Sequence, residues 1–404
     1  MDWNGPPSKL DPSKQLTSPD ILSRKLSIPA VLTGIGFCCL VVAFVACGPA
    51  RNSAAQSSDN KTAPNRPQEP KRPYPYDEVE VFYKNPRAKV TLAGTLTLPK
   101  ADEPCAAVLL VLGSGRLERD EEVADHKIFL VLADYLTCRG LAVLRVDKRG
   151  LGKSTGDYSL HTSEDLADDV LAGVEYLKGR KEIDPSRIGL VGHSEGGLVA
   201  PLAASRSKDV AFVIALGGPG MIGEQVFMSQ GVAIARADGE DEVALSKIRD
   251  VNLRFNAYVR EGHDRAALAK KMKVLIKELP DRMRRQVEGL MEVPTSPWYR
   301  LYIDYDPAPA LAAVRCPVLF FVGEKDLQVL APENLKAAEA AKRKGNNSDF
   351  TVMSLPNINH ALQTCRTGAP SEYGSIEETI APVVLDLIGD WIVKRTSRAK
   401  PKVK

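Results

Sequence analysis

The spacing of hydrophobic positions changes character near residue 77. Val79-Glu80-Val81-Phe82-Tyr83 alternates apolar with polar and predicts a strand with one buried face. Thr91–Leu98 reads as a second strand, with Gly94 as a bulge or bend, and the two make an antiparallel start to a sheet. Continuous apolar runs follow at Ala106–Leu112, Ala142–Val146, Ile188–Val191, Val210–Leu216 and Val318–Val322. Such runs mark strands buried on both faces. Helical spacing fills the gaps, at His126–Thr137, Ser163–Lys178, Gly196–Ser205 and Pro332–Arg343. A last strand, Phe350–Leu355, and a last helix, Glu377–Lys394, close the series. Strand and helix alternating over this length predict a mostly parallel eight-stranded sheet with helices on both faces. One stretch, about 219–308, has no buried-strand run but carries helical patterns such as Val243–Val259 and Ala266–Leu279. Strands end near both of its attachment points, so it is expected to form a helical cap over the sheet.

The front of the chain follows other rules. Residues 1–23 are polar and rich in Pro and Ser, and Arg24-Lys25 precede an uncharged apolar run, Leu26–Cys47, of 22 residues. That length crosses a bilayer as a helix, and the pattern also fits a secretory leader. Its end, Phe44-Val45-Ala46-Cys47-Gly48, resembles the lipobox of bacterial lipoproteins, in which the cysteine is acylated; Phe44 stands where Leu is usual. Cys47 is therefore a lipidation candidate, with an uncleaved N-terminal anchor as the alternative. In both cases Arg24 and Lys25 place the start inside, so the body is expected to be exported and membrane-anchored on the outer side of the cytoplasmic membrane. Residues 48–76 lack apolar periodicity and read as a flexible tether. The expected organisation is an extension with signal or anchor at 1–47, a tether at 48–76, and one α/β domain at 77–404 that contains the cap at about 219–308.

Composition adds limits. The chain has 404 residues, 44% hydrophobic and 26% charged, the profile of a globular protein. A net charge of +3 gives no reason to expect a nucleic-acid partner. The basic end, Arg395 to Lys404, reads as a short solvated tail. Of seven cysteines, Cys105, Cys138, Cys316 and Cys365 lie in the body, too far apart in sequence to imply a pairing. Free thiols are expected, with Cys105–Cys138 or Cys316–Cys365 bridges as the alternative for an exported body. No Cys/His spacing suggests a metal site.

The chemistry begins where the strand Ile188–Val191 runs into Gly192-His193-Ser194-Glu195-Gly196-Gly197 and a helix. G-x-S-x-G between a buried strand and a helix is a nucleophile elbow: the turn is so tight that the nucleophile takes strained dihedrals and its neighbours must be small. Ser194 is the candidate nucleophile, and the backbone N–H of Glu195, at the start of the helix, a candidate oxyanion donor. A serine hydroxyl needs a base. Of five histidines, His193 sits in the elbow and is expected to face away from Ser194. His126 opens a helix, His161 lies in a Ser-rich loop and His263 in the cap. His360 follows the last strand, at the same sheet edge as Ser194, and is the candidate base. The acid follows the strand Val318–Val322 in Gly323-Glu324-Lys325-Asp326, where Asp326 is preferred to Glu324 because it lies deeper in the loop. The order Ser194, Asp326, His360 is that of the α/β-hydrolase fold. The second oxyanion donor is expected from Leu112-Gly113-Ser114-Gly115-Arg116, with Ser114 as the choice and Gly115 the alternative. Asp147-Lys148-Arg149-Gly150-Leu151-Gly152-Lys153-Ser154 reads as a structural motif that braces the site loops.

Taken together, these motifs resemble those of the EstD-type bacterial carboxylesterases. The likeness rests on Gly113-Ser114-Gly115 with Arg119-Asp120-Glu121, on Leu130–Leu136, on Asp147-x-Arg149-Gly150-x-Gly152-x-Ser154 and on the elbow. It continues in Asp304-Tyr305-Asp306-Pro307-Ala308, Gly323-Glu324-x-Asp326 and Asn359-His360, and so covers about residues 77–395. Arg116 departs from the family, which usually has Pro there. The resemblance implies hydrolysis of short-chain acyl esters of small molecules, with Ser194, Asp326 and His360 as triad and no metal or cofactor. A peptidase, an acyltransferase using the same triad, and a non-catalytic binding protein on this fold are the alternatives. The oligomeric state is not legible.

Overall fold

The computed structural model describes residues 65–279, 284 and 295–397. The apolar run 26–47 with Cys47, residues 48–64 of the expected tether and the end of the basic tail lie outside the described residues.

The sheet opens with β1 (Asp77–Asn85) and β2 (Val90–Leu98), paired antiparallel from Asp77↔Leu98 to Asn85↔Val90. Gly94 makes no bulge: it pairs in register with Val81. A Cβ there would stand 2.6 Å from the carbonyl oxygen of Arg145, so glycine admits the next strand. The chain continues through β3 (Cys105–Val111), α1 (Ile128–Cys138), β4 (Ala142–Val146), α2 (Ser163–Lys178), β5 (Ile183–His193), α3 (Gly196–Ser205) and β6 (Phe212–Leu216). The excursion after β6 holds α4 (Gly223–Ala237), α5 (Glu242–Arg260), α6 (Arg265–Leu275) and α7 (Pro297–Tyr302), and α8 (Ala308–Ala313) leads back to the sheet. It ends with β7 (Val318–Gly323), α9 (Ala331–Gly345), β8 (Phe350–Leu355) and α10 (Pro382–Thr396). The strand order is β1-β2-β4-β3-β5-β6-β7-β8. Pairing is parallel from β4 to β8, as the expectation of a mostly parallel eight-stranded sheet requires.

Alternation along each strand assigns the two layers. Ala107, Leu109 and Val111 of β3 join a core with α2, α3 and α9, whereas Ala106, Val108 and Leu110 join one with α1 and α10. Local chemistry fixes α2: the Thr162 hydroxyl accepts from the Asp165 amide while the Asp165 carboxylate accepts from the Thr162 amide, and Gly179 ends the helix. In the cap, α5 buries Leu245, Ile248, Val251, Phe255 and Val259, one stripe at helical spacing. Asp241 and Asp264 cap α5 and α6.

Residues 65–76 form no element, yet they are bonded to the body. Arg66 donates to the carbonyls of Ala124, Asp125, Gly374 and Ile376. Gln68 donates to Ile380 and accepts from the amides of Thr379 and Ile380. All four body cysteines are free thiols, and burial pushes Cys316 and Cys365 up to about 11, which keeps them as unreactive thiols at neutral pH.

Candidate active site

Close backbone packing builds the elbow at the end of β5. A Cβ on Gly192 would stand 1.9 Å from the carbonyl oxygen of Gly196, and a Cβ on Gly196 would stand 1.9 Å from that of Val111. Only glycine fits at either position. Between them Ser194 takes φ +55, the left-handed region that side chains ordinarily avoid. The strain is held by bonds on both sides: the Ser194 amide donates to Leu216 at 2.9 Å, and its carbonyl accepts from Gly197 at 2.8 Å.

The other candidate residues arrive from neighbouring strand ends. Asp326 lies in the loop after β7, where its Oδ1 accepts from the amides of Gln328 and Val329, both at 2.8 Å. Its Oδ2 is 2.8 Å from His360 Nδ1, and both residues are buried. Glu324 is exposed, bonded to the Asn357 amide, and does not reach His360. Gly217, at the end of β6, makes room for the pair: a Cβ there would lie 3.2 Å from Asp326 Oδ2 and 3.3 Å from His360 Nδ1. His193 is held from two sides. Its ring packs on that of His360 at 5.0 Å, and its Nε2–H donates to the His360 carbonyl at 2.8 Å. The elbow and the histidine loop are thus bonded to each other. His126 and His263 sit apart. His126 bonds Thr379 and Tyr373, and His263 is on the cap surface with Glu261.

The loop after β3 abuts the elbow. A Cβ on Gly113 would lie 3.1 Å from Ser194 Cβ. The Gly113 amide donates to Glu121 Oε1 at 2.7 Å, which commits that N–H elsewhere. Ser114 is buried, and Gly115 takes φ +96. Lys148 clamps the loop, its ammonium donating to the carbonyls of Gly113 and Gly115. Arg116, where the resembled family has Pro, lays its guanidinium over the Tyr158 ring at 4.9 Å. Asp147 braces the same region as expected, accepting from the Arg119 amide and guanidinium and from the Lys153 amide. Burial alone would raise the Asp147 pKa, but the bonds from Arg119 and Lys153 outweigh it and hold the carboxyl below its usual range.

Behind Ser194 lies a polar cluster that sequence reasoning passed over. The buried carboxylate of Glu195 accepts from Ser163 Oγ at 2.6 Å and from the indole N–H of Trp298, on the cap, at 2.5 Å. Lys148 lies 3.8 Å away. His161 is buried beside these charges; burial first, and then the Lys148 ammonium, push its pKa below the usual value. Only tertiary structure assembles Lys148, His161, Ser163, Glu195 and Trp298. Among the described residues no group of three or more His, Cys, Asp or Glu side chains is placed to hold a metal ion.

The comparisons agree with this geometry. Residues 108–364 match the model of the alpha/beta hydrolase family. The chain is 27% identical to Esterase EstD of Thermotoga maritima over 323 residues, 79% of this chain and 69% of that protein. The alpha/beta hydrolase GrgF from Penicillium superposes with a TM-score of 0.50 at 17% identity, over 80% of this chain and 100% of its own. An esterase of Pyrococcus furiosus gives 0.48 at 17%, over 80% and 92%. With the elbow, the strand order and a family match over more than half its length, the chain belongs to the alpha/beta hydrolase family.

Proposed function

We propose that the protein is a carboxylesterase that cleaves short-chain acyl esters through an acyl-enzyme on Ser194. The observation that carries this reading is the 2.8 Å Asp326–His360 pair at the sheet edge where the strained Ser194 follows β5. The likeness to an esterase of Thermotoga maritima supports the choice of ester over other acyl substrates. His360 removes the hydroxyl proton as Ser194 Oγ attacks the ester carbonyl. Asp326 holds the imidazole with Nδ1 protonated and stabilises the imidazolium. The oxyanion is bound by the amides of Glu195 and Ser114, with Gly115 as the alternative; Gly113 is not a donor, because Glu121 holds its N–H. The proton passes from His360 to the departing alcohol. Water, deprotonated by His360, then attacks the acyl-enzyme and releases the acid and the free serine. The residues in these roles act without a metal or cofactor.

The test is Ser194→Ala with nitrophenyl acetate and butyrate: hydrolysis is lost while the fold persists. An acyl-length series run beside aminoacyl arylamides separates esterase from peptidase. Product analysis with an added alcohol separates hydrolysis from acyl transfer. The uncharged run 26–47 behind Arg24-Lys25 supports export and membrane attachment, with Cys47 as the acylated residue. Mass analysis of the mature N-terminus decides between a lipidated Cys47 and an intact leader.

A further inference from the structure

Glu121 and His193 lie outside the triad yet touch all three of its surroundings. The carboxylate of Glu121 is 1% exposed. Its Oε1 accepts the Gly113 amide, from the loop beside Ser194, at 2.7 Å. The same oxygen is 3.1 Å from Nδ1 of His193, the residue before the nucleophile. On its other side, His193 donates from Nε2 to the carbonyl of His360. One carboxylate thus joins the loop after β3, the elbow and the histidine loop in a single chain of bonds.

The hydrogen count shows that this chain is a unit. A peptide carbonyl only accepts, so Nε2 carries a hydrogen. Nδ1 faces a carboxyl oxygen, so a second hydrogen lies between Nδ1 and Oε1, whichever of the two atoms holds it. Oε1 makes both bonds, while Oε2 is buried without a hydrogen-bond partner. A glutamine cannot reproduce this. With its oxygen at the Oε1 position, it leaves the doubly bonded imidazole without a counter-charge; with its amide there, it turns a donor toward the Gly113 N–H. Glu121 also sits at φ +49, a conformation costly for a side chain and kept only where its surroundings over-determine it.

We infer that Glu121 and His193 form a positioning pair that sets the oxyanion loop and the base relative to Ser194, and so acts on the transition state rather than on substrate binding. The inference rests on the esterase reading above. Glu121→Gln is expected to lower kcat about tenfold or more with KM nearly unchanged, as small misplacements of reacting groups do. It is expected to weaken a phenylboronic acid, a mimic of the tetrahedral intermediate, by the same factor. His193→Gln gives the same loss, and the double variant loses no more than either single one, because the two act as a unit. Should Glu121→Gln fail to fold, His193→Gln decides by the same two readouts. Wild-type kcat and boronate affinity in these variants would overturn the pair, as would losses that add in the double variant. Ser194→Ala is assayed alongside: activity surviving there overturns the esterase reading, whereas its loss beside a fully active Glu121→Gln overturns only the pair.

Discussion

Trp298, on the cap, donates its indole N–H to the carboxylate of Glu195, the residue directly after Ser194, at 2.5 Å. The cap is thereby bonded to the same short turn that presents Ser194. Trp298→Phe keeps an aromatic ring, though a smaller one, and removes the donor. A buried carboxylate that loses a donor costs about 1–3 kcal/mol. The expected outcome is a drop of that size in unfolding free energy by denaturant titration, together with a lower kcat/KM for nitrophenyl butyrate. Unchanged values in both assays would mean that Ser163 and Lys148 satisfy Glu195 unaided.

Asp326 offers one oxygen to His360 and the other to the amides of Gln328 and Val329. Asp326→Asn can keep the two amide bonds only by turning its NH2 toward Nδ1, which forces the wrong tautomer on the imidazole. A loss in kcat of about 10⁴-fold is expected with the fold intact. Glu324→Gln, at the exposed residue, leaves kcat unchanged. Equal losses in the two variants would reassign the acid.

Room at the elbow can be tested without chemistry. Gly196→Ala drives a methyl group into the Val111 carbonyl, backbone against backbone, with no side chain able to swing aside. Destabilisation of about 3 kcal/mol or more is expected, read as a fall in thermal midpoint or in soluble yield. An alanine variant of wild-type stability would show that the turn opens more readily than its contacts suggest.

His126 gives a pH dependence. Burial holds its pKa below the ordinary imidazole value of about 6.5. The unfolded chain therefore binds a proton more readily than the folded one, and stability rises with pH across the interval between the two values. Above about pH 6.5 both states are neutral there and the residue contributes no slope. As the pH falls below that value, the folded state loses stability until the folded pKa is passed. Denaturant midpoints measured from pH 8 to pH 5 should show this decline, and His126→Gln should flatten it.

Much of this architecture is legible in the chain because buried parallel strands are written as unbroken apolar runs. Ala142–Val146 and Phe350–Leu355 stand where their patterns end, and α2 runs between its Thr162 cap and Gly179. Asp326 and His360 are legible for a related reason: each follows a strand whose direction the alternation already determines. β5 begins earlier than its pattern, at Ile183, because Asp184-Pro185-Ser186 looks like a turn; pairing there is broken by an irregularity between Cys105 and Ala107 on β3. Helix α4 and the short hairpin at Glu122–Lys127 were not legible, the first because no side chain caps its start at Ile222 and the second because it is two residues wide. The cluster around Glu195 was invisible for another reason. Ser163 and Trp298 lie 32 and 103 residues from it, and no local spacing encodes contacts of that range.

Arg66 and Gln68 precede the first strand, yet Gly374, Ile376, Thr379 and Ile380, which they bond, belong to the segment that leads from His360 to α10. Gln363, four residues from Asn359 and bonded to it, donates to the carbonyls of Tyr373 and Glu378 in that same segment. A protease that cut the chain just beyond Gln68 would detach this brace along with whatever lies upstream. Cleavage there and slackening of the histidine loop would then be one event.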